Sequence, residues 1–142
     1  MRTTITSILM VLVIAVLASC NATHKHEHHH TQDNGISLNE GQKWNVNAEM
    51  KPFLKRGAQL LHEYSLDESG DYRILALNLK EQNDSLIRNC TMTGESHEEL
   101  HKWLHPDLEL VKELESTKSE EDADQIIARL EESYITYQTF FE

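Results

Sequence analysis

From Val46 to Phe141 the apolar residues return every three or four positions, the rhythm of an α-helix with one buried face. Val46, Met50, Phe53, Leu54, Gly57, Leu60, Leu61 and Tyr64 make the first stripe. Asp67-Glu68-Ser69-Gly70 is a turn, with Ser69 placed to cap the next helix. Tyr72, Leu75, Leu79, Leu86 and Cys90 make the second stripe, widened by Ile74, Leu77 and Ile87. Strand-like alternation of useful length is absent, and only two prolines interrupt the chain. The expected fold is all-α: an antiparallel four-helix bundle over residues 45–142, since short connections force neighbouring helices to run in opposite directions.

Two local signals define the third helix. Ser96-His97-Glu98-Glu99 fits a capping box, in which the serine caps the helix and Glu99 reaches back to it. Pro106 should then break the helix, because a residue before proline is pushed out of helical geometry. Pro106 with Asp107 and Glu109 reads as a fresh start that carries Leu108, Val111 and Leu114. Ser119 caps the last helix, whose stripe is Ala123, Ile126, Ile127, Leu130, Tyr134, Tyr137, Phe140 and Phe141.

Ahead of the bundle, Met1-Arg2 precedes an unbroken apolar run from Ile8 to Ala18. Such a run has the length of a signal-peptide core and falls short of the roughly 20 residues that a membrane-spanning helix needs. It closes on Leu17-Ala18-Ser19-Cys20, which resembles the lipobox of bacterial lipoproteins. The resemblance implies cleavage after residue 19, acylation of Cys20, and a mature chain held on a membrane of the cell envelope by more than one acyl chain. Asn21 is not the aspartate that retains some lipoproteins of that family in the inner membrane, so the outer membrane is the expected address.

Residues 20–44 lack apolar periodicity and are expected to be a flexible tether. Five of the nine histidines fall in it: His24, His26, His28, His29 and His30. Loss of Arg2 with the signal peptide takes the formal charge from -11 to -12. An acidic chain disfavours nucleic acid as a partner and suits metal cations.

Cysteine usage then narrows the chemistry. With Cys20 lipidated, Cys90 is the one remaining thiol in an oxidising compartment, hence reactive, intermolecular, ligating, or simply a small buried hydrophobe. Met92 follows two residues on. At about 100° per residue, His97 and His101 share the border of the third stripe, the i, i+4 arrangement by which a helix offers two nitrogens to one metal. Cys90, Met92, His97 and His101 are therefore the candidate ligands. His105 is a weaker one because Pro106 should redirect it, and the tether histidines bind ions without fixed geometry. Thiolate, thioether and imidazole suit copper, with zinc next. Haem is disfavoured: no C-x-x-C-H motif exists, although Met50 and His62 are possible axial ligands.

No nucleophile elbow, phosphate loop or H-E-x-x-H motif is present, and the expectation is a non-enzyme. The string Cys90-x-Met92-x-Gly94-x-x-His97-x-x-Leu100-His101-x-Trp103-Leu104 resembles a segment of small helical envelope lipoproteins of Bacteroidetes-type bacteria. The functional expectation is a lipoprotein that binds or buffers a soft transition-metal ion, with an envelope metal-transport protein as a partner. Its rival is a structural lipoprotein that docks an envelope partner without metal.

Overall fold

The computed structural model describes residues 35–67 and 70–142. The expected signal peptide, Cys20, the histidines at 24–30 and Ser69 lie outside the described residues. Four helices follow one another: α1 (Lys51–Leu66), α2 (Tyr72–Arg88), α3 (Glu95–Ser116) and α4 (Glu120–Phe140). Each packs on the next, and α4 closes the ring on α1. The pairing is antiparallel throughout. Trp103 near the start of α3 meets Ser133 late in α4, while Glu113 meets Arg129. None of the four helices is long and apolar enough to cross a membrane.

The apolar stripes close two core clusters. One is mainly aliphatic, built on Leu61, Leu75, Leu79, Leu114, Ile127 and Leu130. The other is richer in aromatics and sulfur: Trp44, Met50, Leu86, Leu100, Trp103 and Phe141, with Cys90, Met92 and Tyr137 packed against it. Gly57 lets α1 approach α4, since a methyl group there would overlap the Tyr134 hydroxyl. Ser119 caps α4 as expected, accepting from the Asp122 amide at 3.2 Å, and Asp71 caps α2 by accepting from Arg73.

Four expectations are corrected. First, Pro106 does not break α3, which runs unbroken from Glu95 to Ser116 with the proline inside it. An interior proline costs about 3 kcal/mol. Trp103, Leu104 and Leu110 bury on both sides of it; each fully buried large apolar side chain returns about 1.5–3 kcal/mol, enough to hold the helix together.

Second, α1 begins at Lys51 and not at Val46. Pro52 lies in its first turn, and extending the helix backwards would drive the proline ring into the Ala48 carbonyl. Val46 and Met50 are still buried, but from the approach to the helix.

Third, the tether does not extend to residue 44. Ile36 and Trp44 are buried in the second cluster, so residues 35–46 form a strap across that end of the bundle. Backbone bonds fasten it to the end of α4: Trp44 N–H to Phe140 O, Glu142 N–H to Trp44 O and Val46 N–H to Glu142 O, at 2.8–3.0 Å.

Fourth, the capping box at Ser96 and Glu99 is not formed. Gly94 occupies the cap position at φ 71°, a left-handed conformation that favours glycine, and no side chain caps the helix. Glu99 is instead buried beneath the strap.

Candidate metal centre

Helix α3 brings His97, His101 and His105 into one row. Their spacing of four residues exceeds the helical repeat by a fraction of a turn, so the row drifts slowly from the core border toward solvent. His97 and His101 are half-buried and His105 is exposed. The Nε2 atoms of His97 and His101 face each other at 2.9 Å. The rings meet edge-to-face at 4.3 Å between centroids, and His101 meets His105 at 4.7 Å in the same manner. His105 is thus the third member of the row, and the expectation that Pro106 would redirect it is corrected: the proline leaves the helix intact.

Burial, then the neighbouring charges of His97 and His105, hold the His101 pKa below the ordinary histidine value. Neutral imidazole is the form that ligates a metal. A 2.9 Å separation between the two nitrogens is that of an N–H···N bond, one ring donating and the other accepting. Replacing that shared proton by a tetrahedral ion with metal–nitrogen bonds near 2.0–2.1 Å would spread the nitrogens to about 3.3 Å, a shift of a few tenths of an ångström.

The two sulfurs take different positions from the row. Cys90 and Met92 are half-buried and pack against the second core cluster, to which Leu100, Trp103 and Leu104 of α3 also belong. They share a bundle end with the histidines. Even so, no group of three or more His, Cys, Asp or Glu side chains among the described residues is arranged to hold a metal ion. The contact shown directly is that between His97 and His101, with His105 next in the row.

Asn47 sets the place of Cys90. Its side-chain amide donates to Asn89 O at 2.9 Å and its carbonyl accepts from Thr91 N–H at 3.2 Å, so both neighbours of Cys90 are clamped. Met50, three residues after Asn47, is fully buried in the same cluster. An asparagine with no helical neighbour carries no sequence signal for this role.

A second polar group lies on the opposite side of α3. Asp107 is fully buried, accepting from Ser133 Oγ at 2.8 Å and from Asn83 Nδ2 at 3.2 Å. Burial pushes its pKa up to about 6 against the opposing effect of those two bonds. This residue was readable. Leu100, Trp103, Leu104, Asp107, Leu110, Val111 and Leu114 follow one helical stripe, and an acid within such a stripe is a buried acid.

Compared with known protein families, curated proteins and solved structures, the chain matches none.

Proposed function

We propose that this is a lipid-anchored protein of a bacterial envelope, outer membrane first, that binds or buffers a transition-metal ion at His97 and His101. The observation that carries the reading is the pair of facing imidazole nitrogens at 2.9 Å, half-buried and nearly at metal-bridging separation. The two rings are polar partners of each other, and an ion can take the place of the proton they share. Copper is the first choice and zinc the second. Imidazole serves both, copper(II) binds such sites more tightly than zinc, and the sulfurs of Cys90 and Met92 at the same bundle end suit copper(I). The protein acts by holding an ion, not by catalysis, and an envelope metal-transport protein is its natural partner.

The test is a competition titration of the mature chain, made without lipid, against chelators of copper and zinc. One ion per chain is expected. Its affinity should fall by at least about tenfold in His97→Ala and in His101→Ala, as loss of a ligand must cost no less than loss of a ligand's supporting partner. Cys90→Ser should weaken copper(I) more than zinc. Affinity unchanged from that of the unaltered chain in both histidine variants would sink the reading. The rival, a docking lipoprotein without metal, is favoured by Ile74 and Leu77, which are 59% and 58% exposed on α2.

A further inference from the structure

Helices α1 and α4 meet more sparsely than the other neighbouring pairs of the ring. Gly57 lets the Tyr134 hydroxyl press against α1, and a hollow lies on each side of that contact. One, of about 300 Å³, is lined by Lys51, Leu54, Lys55, Tyr137 and Glu142. The other, of about 250 Å³, is lined by Leu61, His62, Ser65, Glu131 and Ile135. Ala58, Tyr134 and Gln138 line both, so the two hollows form one groove along the seam.

The centre of this groove holds a polar group without a partner. Tyr134 is only 5% exposed, yet its hydroxyl forms no hydrogen bond among the described residues. Among those residues, every side-chain nitrogen or oxygen sealed from solvent has a partner. The Tyr134 hydroxyl is therefore open to the groove that its residue lines. Burial pushes its pKa well above the ordinary tyrosine value, so the proton stays in place. It is a hydrogen-bond donor whose acceptor comes from outside the chain.

The two ends differ in charge. Lys51 and Lys55 are exposed, one turn apart on α1, and form no ion pair among the described residues. Lys43 Nζ is held at Gln138 O, 2.6 Å away. Three ammonium groups thus gather at one end against the Glu142 carboxylate, on a chain whose net charge is -11. Beyond Tyr134 the walls are Ala58, Leu61 and the exposed Ile135, and Glu131 at the far side repels an anion. From Ala58 to Ser65 the helix rises about 10 Å, room for an alkyl chain of moderate length. Apolar walls with a few placed polar groups are the usual make-up of a small-molecule site.

We propose that the α1/α4 groove binds a medium-chain fatty acid, its carboxylate accepting from the Tyr134 hydroxyl beside Lys55 and Lys51 and its alkyl chain lying along Ala58, Leu61 and Ile135. The site shares no residue with the imidazole row and is independent of the metal reading.

The experiment is a calorimetric titration of the metal-free mature chain, made without lipid, with decanoate below its micellar concentration. Decanol and decylamine, which keep the tail and change the head, are the comparisons. One decanoate per chain is expected, with decanol at least about tenfold weaker and decylamine not bound, because a bond to a charged acceptor is the stronger one. Tyr134→Phe keeps the ring and removes only an unpartnered hydroxyl, so the fold is retained, as urea unfolding checks. Its affinity for decanoate should fall about ten- to a hundredfold. Lys51→Glu with Lys55→Glu, at exposed positions, should abolish binding of decanoate and leave that of decanol unchanged. Absence of saturable decanoate binding overturns the proposal, as does equal binding of decanol or decylamine. Undiminished affinity in Tyr134→Phe overturns it too, since the ligand then lies elsewhere.

Discussion

Helix α3 carries two polar groups of opposite character, a buried carboxylate facing inward and a row of imidazoles facing outward. Asp107 has a partner for each oxygen, one from α2 and one from α4, and so ties three helices together. His97 and His101 have each other. The difference separates a polar group that builds the fold from one that is free to take a ligand. Burial alone would have pointed to Asp107 as the functional residue, since its pKa is the more strongly displaced. Its closed hydrogen bonding argues for structure: there is no surface from which a ligand could approach a fully buried side chain.

The largest effect that can break this comparison is the pH dependence of stability. The native state holds the Asp107 proton up to about pH 6, whereas an unfolded aspartate releases it near pH 3.9. The stabilisation is thus complete below about pH 4 and is lost as the pH rises through about 6, some 3 kcal/mol in all. Asp107→Asn keeps the shape and removes the titration. Urea unfolding from pH 4 to 8 should show the step in the unaltered chain and not in the variant. Parallel curves for the two proteins would mean that Asp107 is not the buried acid described.

Much of the fold was legible because helical stripes are local. Leu75, Leu79 and Leu86 announce α2 without reference to any other segment, and Ser119 announces the start of α4 with its own first turn. What escaped depends on distant partners. Glu99 fits a local capping box, yet its carboxylate is taken by Ser37, 62 residues away. The strap has no periodicity to betray that Ile36 and Trp44 are buried. Pro106 follows a strong local rule that tertiary packing around Trp103 overrides. For the candidate site, spacing alone paired His97 with His101. Nearness in sequence adds Cys90 and Met92 to that pair, and both pack against the second core cluster.

A middle-sized effect sharpens the boundary between inward and outward groups at Glu99. Burial works to raise its pKa, and the hydrogen bonds from Lys102 and Ser37 outweigh that, leaving the carboxyl below the ordinary glutamate range. Glu99→Ala removes the acceptor of the strap, and hydrogen bonds to charged groups contribute about 1.5–3 kcal/mol. The loss should appear in thermal unfolding and as a change in Trp44 fluorescence. Ser96→Ala should cost no more than a few tenths of a kcal/mol, because Ser96 does not cap α3, whereas loss of a formed serine cap costs about 1 kcal/mol. The opposite ranking would restore the capping box and detach Glu99 from the strap.

A small effect on stability is also expected at the imidazole row, and its smallness is the point. In metal-free protein at pH 7, His101→Ala loses one neutral hydrogen bond from a half-buried position, so its cost should stay below about 1 kcal/mol. Adding zinc at about a hundred times its dissociation constant should stabilise the unaltered chain by about 2.7 kcal/mol and His101→Ala by no more than about 1.4 kcal/mol, since a tenfold loss of affinity leaves at most that much. Asp107→Asn should show the reverse pattern, a changed pH profile with an intact response to zinc. The two substitutions lie within two turns of one helix, so a general loosening of α3 would move both readouts together. Opposite patterns can arise only if one group serves the fold and the other serves the ion.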